Sequence, residues 1–315
     1  MQHLTSLGEL SLDEAWLTIG SFDGVHLGHR RILAQLTAGA HAAAKPAVVL
    51  TFHPHPVEVL RGPRQDYYLT DPRQRAALLG ECGVDYVVTL PFDRSVAATS
   101  AHDFLLQLKE HLGFTQLWVG ENFALGKERE GDVLALHALG ETLGFTLHVV
   151  ESVEIGGEPV SSSRIRRLLR AGDVEMAARL LGRPYRLQGK VIPGDERGRL
   201  LGFPTANLSI DEARLMPASG VYVCRAQLGE RILGAVTNVG VRPTFEGQPE
   251  RPLAEAHLLG FLGKIYGQTL EVRFLARLRD EKRFESVEEL VTQIDADVER
   301  ARELLENAPP DWLFD

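Results

Sequence analysis

Between Gly20 and His29 the chain reads Gly-Ser-Phe-Asp-Gly-Val-His-Leu-Gly-His, with three glycines and two imidazoles in ten residues. An apolar β-type run precedes it. A helical pattern follows, with Ile32, Leu33 and Leu36 on one face. The start of a helix presents unpaired N–H groups and the positive end of its dipole, so it favours a phosphate. Gly24 and Gly28 let the backbone approach that anion. His26 and His29 fall on adjoining positions of the first turn, where both can donate to phosphate oxygens as negative charge builds up. His-x-x-His alone would fit two surface histidines at a helix start. The whole run, placed between a strand and a helix, points to a phosphate-handling loop.

Three further segments carry polar chemistry. Thr51-Phe-His-Pro-His-Pro56 follows the second strand pattern, and Gly120-Glu-Asn122 leads a glycine- and charge-rich stretch to Asp132 after the fourth. Ser161-Ser162-Ser163-Arg164-Ile165-Arg166 reads as a hydroxyl-rich helix start with arginines. Singly, the last two read as a flexible loop and a capped surface helix. In an open parallel sheet, ligands bind beyond the carboxyl ends of strands, and all four segments can rim that one edge. Gly-x4-Gly-Lys-Ser/Thr and Gly-x-Gly-x-x-Gly are both absent, which excludes a P-loop and a dinucleotide fingerprint.

A second chemical run extends from Gly189 to Asn207. Gly194, Gly198 and Gly202 recur every four residues, making a loop whose backbone can wrap phosphates closely. Thr205 and Asn207, in Pro204-Thr-Ala-Asn207, supply hard oxygen ligands suited to Mg²⁺. Pro-Thr-Ala-Asn by itself would also suit an ordinary turn.

The elements that must position these groups change character near Gly182. Before it, near-continuous apolar runs at Leu17–Gly20, Ala47–Phe52, Tyr86–Leu90, Leu117–Gly120 and Leu147–Val150 alternate with helical patterns. Asp71-Pro72 with Gln74 marks one helix start. Ser100 and Gly113 bracket another helix, and Asp173 and Gly182 a third. This predicts a doubly wound α/β domain over residues 1–182. After Gly182 come short β-rich runs at Tyr185–Ile192, Gly220–Gln227, Ile232–Val239 and Leu270–Leu275, punctuated by Gly and Pro. They predict a small antiparallel barrel over 183–315. A long final helix closes it, capped by Ser286-x-x-Glu289 and striped by Leu290, Ile294, Val298, Ala301 and Leu305. The tail Pro309–Asp315 reads as a loosely held end.

With 315 residues the chain exceeds what one core usually serves, which agrees with two domains. Its net charge of −9 argues against a nucleic-acid or anionic-membrane surface, although a local basic pocket is compatible with it. Cys82 and Cys224 form no motif and imply no disulfide framework. The N-terminal residues lack a basic region followed by an apolar run, and no run of about 18 apolar residues occurs. The expected compartment is the reducing cytoplasm, and the expected partners are small molecules. Oligomeric state is not readable.

In this order, Gly-x-Phe-Asp-Gly-x-His-x-Gly-His, Thr-Phe-x-Pro-His-Pro and Ser-Ser-x-x-Ile-Arg resemble the bacterial bifunctional riboflavin kinase/FAD synthetases. The resemblance extends through the Gly189–Asn207 run, Gly220-Val-Tyr222, Asn238-Val-Gly-Val-Arg-Pro-Thr-Phe245, Glu255-Ala-His257, Tyr266-Gly267 and Arg279-Asp-Glu-Lys-Arg-Phe284. It implies ATP-dependent phosphorylation of riboflavin to FMN by the barrel, then transfer of AMP from ATP to FMN, giving FAD and pyrophosphate. By resemblance, His26 and His29 hold the ATP phosphates within the loop Gly20, Phe22, Asp23, Gly24 and Gly28. Asn122, Ser162, Ser163 and Arg166 complete that nucleotide site. Glu255 takes the proton of the riboflavin 5′-hydroxyl, a role that suits a carboxylate. This chain has His53 where the family often has Glu and Leu125 where Phe is common. It has Gly260 and Lys264 where acidic residues are usual. Two rival readings are an adenylyltransferase for another nucleotide, which leaves the second half unexplained, and a flavin-responsive regulator, which the acidic charge disfavours.

Overall fold

A computed structural model of the chain describes residues 1–194, 198, 201–242 and 251–307, without the side chains of 241, 242, 251 and 252. The motif residues Asp195 to Arg197, Arg199, Leu200 and Pro243 to Phe245, and the tail from Pro309, lie outside the described residues. The described chain divides into two compact units. One comprises residues 1–64 and 68–162, the other 65–67 and 163–315.

In chain order the first unit runs β1 (Gln2–Leu4), β2 (Trp16–Ile19), α1 (Leu27–Ala42), β3 (Ala47–His53), α2 (Pro56–Arg61) and α3 (Pro72–Glu81). It continues with β4 (Tyr86–Pro91), α4 (Arg94–Ala98), α5 (Ala101–Leu112), β5 (Gln116–Gly120), β6 (Ala124–Leu125) and β7 (Gly131–Asp132). It ends with α6 (Val133–Leu143), β8 (Thr146–Val150), β9 (Glu154–Ile155) and β10 (Glu158–Pro159). Its sheet has six parallel strands in the order β1-β4-β3-β2-β5-β8. The five expected strands are present, and Gln2–Leu4 adds a sixth against β4. Val48, Val49, Leu50, Val87, Val88 and Leu117 are fully buried, as a sheet covered on both faces requires. The chain leaves β2 in one direction to reach β3 and β4. It returns to the other side of β2 for β5 and β8. The strand order therefore reverses at β2/β5, where such sheets form their ligand crevice.

The helix boundaries follow their caps. Asp71 accepts from the Gln74 N–H, and Ser100 from the Asp103 N–H. Gly113 ends α5 in the left-handed region.

The second unit begins with α7 (Ser162–Ala171), which shares its first residue with the other unit, and α8 (Val174–Leu181). Then follow β11 (Tyr185–Ile192), β12 (Thr205–Ser209), β13 (Gly220–Leu228), β14 (Arg231–Arg242), β15 (Arg251–Leu258), β16 (Thr269–Arg279) and α9 (Val287–Glu306). The six strands close an antiparallel barrel in the order β11-β12-β15-β14-β13-β16. Strands β12 and β15 were not anticipated: Thr205 and Asn207 stand on a strand, not in the glycine loop. Helix α8 packs on β16 and β11 through its buried Val174, Ala177, Leu180 and Leu181. Ser286 caps α9 by accepting from the Glu289 N–H. The Glu289 carboxylate reaches back to the Glu285 N–H instead of to the cap residue. Val298 and Ala301 of α9 bury against Val221, Val223 and Val236 on the outer barrel wall.

Candidate active sites

The parallel sheet places three loops side by side at the carboxyl ends of β3, β2 and β5. The central loop is Gly20–His26. Its backbone is held in unusual form: Phe22 (φ 46°), Gly24 (φ 85°) and Val25 (φ 40°) all have left-handed backbone. For the two non-glycine residues this costs about 1–3 kcal/mol each, a cost typical of functional loops. Phe22 and Asp23 face inward and are almost completely buried. Asp23 accepts from the N–H groups of Leu69 and Thr70 and from the Thr70 hydroxyl, while Thr70 Oγ1 also accepts from the Gly24 N–H. These two motif residues therefore shape the loop from beneath.

His26 is the N-cap of α1, and its Nδ1 accepts from the His29 N–H at 3.3 Å. That bond makes the neutral ring an Nε2–H donor. The two imidazoles stack with centroids 3.6 Å apart and planes at 15°, and Phe22 packs on His29 at 4.9 Å. A Cβ on Gly28 would press on the His26 ring at 3.2 Å, so the glycine makes room for the stacked pair. Gly20 follows β2 directly and lies over the Phe22 ring. The result is a helix start with two adjacent imidazoles, suited to polyphosphate oxygens.

Asn122 stands exposed just past β5, in the loop where Arg129 donates to its carbonyl. On the other flank, His55 caps α2, and the Tyr68 hydroxyl accepts from the His55 N–H at 2.7 Å while bonding Glu58. Burial and Glu58 push the Tyr68 hydroxyl far above its usual range. His53 is exposed, with its ring 5.6 Å from that of Tyr68. Leu125 is half-buried in β6. Ser162, the last residue of the first unit, donates its hydroxyl to the Asp23 carbonyl at 2.8 Å. In the second unit Ser163 is exposed. Arg166 is buried, stacked 3.9 Å over the Tyr67 ring and donating to the Tyr67 carbonyl.

The barrel builds its site from strand register. Asn207 of β12 pairs with Glu255 of β15, and Glu255 pairs with Asn238 of β14. Directly opposed residues share a face, so Asn207, Glu255 and Asn238 form one row. One register step of two along, Thr205 pairs with His257, whose ring meets the Pro204 carbonyl at 2.9 Å. Asn238 reaches Glu281 at 3.5 Å.

Two cavities flank Thr205. The first, about 460 Å³, is lined by Gly194, Gly202, Thr205, Asn207, Leu258 and the loop Phe261–Tyr266. Gly194 passes so close to Asn207 that a Cβ would collide with the carboxamide. Gly202 adopts φ 89°. Gly260 is exposed, and Lys264 lines this cavity. The second, about 630 Å³, is lined by Gly198, Thr205, Asn238, Glu255, Phe284 and, from α9, Leu290, Ile294 and Asp297. Arg279 of β16 anchors α9 there, with Nε 3.0 Å from both Asp297 oxygens and Nη2 2.7 Å from Oδ2. The pair is largely buried. Asp297 escaped the sequence reading because a carboxylate on a terminal helix usually faces water. Asn238 was visible only as part of a motif.

Among the described residues no group of three or more His, Cys, Asp or Glu could hold a metal ion. No helix among them is long and apolar enough to cross a membrane.

Comparison with known proteins gives one family match in each half of the chain. Residues 9–164 match the FAD synthetase family and residues 181–305 the riboflavin kinase family. The bifunctional riboflavin kinase/FMN adenylyltransferase of Escherichia coli (strain K12) is 40% identical over 91% of both chains. That of Pseudomonas fluorescens is 42% identical over 91% of this chain and 92% of its own. That of Bacillus subtilis (strain 168) is 34% identical over 90% of each. A Streptococcus pneumoniae crystal structure described as a macrolide-efflux protein superimposes with TM-score 0.87 at 30% identity, covering 96% of this chain and 98% of its own.

Proposed function

The chain belongs to the family of bifunctional riboflavin kinase/FMN adenylyltransferases, and from that premise we propose which of its residues do the work. It uses ATP to phosphorylate riboflavin to FMN and to adenylylate FMN to FAD. The kinase is assigned to residues 183–315 and the adenylyltransferase to 1–182, a division supported by the two family matches.

In the barrel, riboflavin occupies the cavity walled by α9, and the ATP phosphates occupy the glycine-lined cavity across Thr205. Glu255 is the general base. It takes the proton of the 5′-hydroxyl as that oxygen attacks the γ-phosphorus, and the bond from that phosphorus to the bridging β-phosphate oxygen breaks, releasing ADP. The register between Asn207 and Asn238 supports this assignment, because it sets the Glu255 carboxylate, which lines the second cavity, directly opposite Asn207, which lines the first. Thr205 and Asn207 offer hydroxyl and carboxamide oxygens, a hard donor set that fits Mg²⁺ held partly by substrate phosphates. When bound, Mg²⁺ would neutralise charge on the transferring phosphoryl group.

In the sheet unit, an FMN phosphate oxygen attacks the α-phosphorus of ATP, and the α–β bridging bond breaks to release pyrophosphate. His26, His29 and the α1 N-terminus hold the phosphates and stabilise the developing charge. Gly20, Phe22, Asp23, Gly24 and Gly28 shape that loop. Asn122 and Ser162 complete the nucleotide site of this unit, and by the family resemblance Ser163 and Arg166 are also assigned to nucleotide binding. The segment after β3 receives the flavin side. Positioning and charge neutralisation suffice, and no covalent nucleophile is required. The substrates are small molecules, and the working compartment is the cytoplasm.

Chromatography of a reaction containing riboflavin, ATP and Mg²⁺ tests the scheme. FMN should appear first and FAD after it. FAD without an FMN intermediate, or neither product, would sink it.

A further inference from the structure

Among the described residues Arg75, on α3, is the largest fully buried side chain, and its sequence neighbourhood does not single it out. Its Nη1 donates to the Ser21 carbonyl at 2.9 Å, to the Phe52 carbonyl at 3.1 Å and to Thr51 Oγ1 at 3.3 Å. Its Nη2 lies 3.5 Å from the Thr70 carbonyl and 3.9 Å from Asp23 Oδ1. Both Arg75 and Asp23 have fully buried side chains. Thr51 closes the circuit by donating its own hydroxyl proton to the Ser21 carbonyl at 3.0 Å.

Three chain segments meet on this one guanidinium. Ser21–Asp23 runs directly into His26 and His29. Thr51–Phe52 lies among the last residues of β3, which ends at His53 and leads into Pro54–Pro56. Thr70 carries the hydroxyl that braces Asp23 and the Gly24 N–H. We propose that Arg75 is a positioning residue for adenylyl transfer. It holds the loop that grips the nucleotide phosphates at a fixed spacing from the loop that receives the flavin phosphate. This rests on the assignment of the sheet unit as the adenylyltransferase.

The physical case is the geometry of the group. A planar guanidinium presents several N–H donors in a fixed fork and keeps its charge, so it can set the relative placement of separate carbonyls. A lysine offers one point charge on a flexible stem and cannot reproduce the fork. Burying such a charge is costly, and here Asp23 and four backbone or hydroxyl oxygens offset the cost. Two carbonyls and a hydroxyl from different strand ends therefore share one rigid partner. In-line transfer between two bound phosphates depends on their mutual alignment, and a misplacement of about 1 Å costs roughly 100-fold in rate. Arg75 should accordingly act on kcat more than on the KM of either substrate taken singly.

The test uses the full-length protein with Arg75→Met, Arg75→Lys and Arg75→Ala. FAD formation from supplied FMN and ATP gives kcat and KM, and FMN formation from riboflavin is the internal standard. In a Trp312→Phe background, Trp16 and Trp118 report on the fold of the sheet unit through their thermal fluorescence transition. The expected result for Arg75→Met is a drop of roughly 100-fold in kcat for FAD, with the KM for ATP and the kinase rate near wild type. Arg75→Lys should recover only part of that loss. Added methylguanidinium should restore the Arg75→Ala enzyme saturably, whereas methylammonium should not.

Wild-type kcat in a folded Arg75→Met or Arg75→Lys enzyme would overturn the proposal. So would a loss in Arg75→Ala that tracks the folded fraction and ignores methylguanidinium. If Arg75→Met does not fold, the lysine variant and the rescue experiment decide. A wild-type enzyme that makes no FAD would instead remove the underlying assignment, so the two failures are distinguishable.

Discussion

The candidate sheet site and the candidate barrel site, both proposed to take ATP, are built by opposite means. At the sheet edge the polar groups come from loops after parallel strands, and the central ones lie in one stretch of chain, Gly20 to His29. A buried layer of Asp23, Thr70 and Arg75 holds that stretch from below. In the barrel the groups stand on the strands themselves, and hydrogen-bond register lines up Asn207, Glu255 and Asn238 from positions far apart in sequence. A loop site can take strained backbone because a rigid sheet supports it. A strand site needs no strain, but a slip of one residue would turn Glu255 to the other face. Precision comes from tertiary clamping in the first case and from secondary structure in the second.

That contrast can be broken by substitutions confined to one site. The largest effect is expected for Glu255→Gln. FMN formation should fall by about 10²–10⁴-fold, the range for losing a general base, while FAD formation from supplied FMN stays intact. Loss of both would mean the sites are not separable. His29→Ala should then lower FAD formation by about 10²–10³-fold and leave FMN to accumulate. An unchanged FAD yield would move the charge-stabilising role elsewhere.

Asp297→Asn probes the helix that walls the cavity proposed for flavin. Weakening its fork with Arg279 should raise the KM for riboflavin roughly tenfold, worth ~1.4 kcal/mol, with the KM for ATP unchanged. A rise for ATP instead would exchange the two cavities. The smallest effect concerns the thiols. Cys224 is completely buried in the barrel, and burial pushes its pKa up to about 12. At pH 8 it stays a neutral thiol and should resist a disulfide reagent until the barrel unfolds. The half-buried Cys82 of the sheet unit should react in the native protein. Simultaneous reaction of both would mean that the barrel opens as readily as the sheet.

Much of this architecture was legible in the residues, and the exceptions share a cause. Continuous Val/Leu runs identified the central parallel strands because both faces of each are buried. Gln2–Leu4 was missed because three residues of mixed polarity carry no period. Thr205–Ser209 and Arg251–Leu258 were missed for a functional reason. Thr205, Asn207, Glu255 and His257 are the polar half of a period-two alternation with Ala206, Leu208, Ala256 and Leu258, and their reading as motif chemistry hid the strand pattern. The catalytic candidates were legible as motifs, yet the strands bearing them were not. Arg75 shows the converse. On a helix flanked by Arg73 and Gln74 it reads as one more solvated cation, and only the fold reveals that α3 turns it inward.

Barrel closure also has a schedule. Strand β11 pairs along one side with β16, Tyr185 opposite Phe274, so the first strand waits for the last. At about 5–20 residues per second, a ribosome needs roughly 5–20 s to supply that partner. The Asn207–Glu255–Asn238 row belongs to strands made earlier, so the register proposed to be catalytic can be laid down before the wall that encloses it. During that interval the apolar inner face of β11 has no final neighbour. The newborn second half is thus the stage of synthesis at which a chaperone, or a slow codon after Arg279, would most affect the yield of active enzyme.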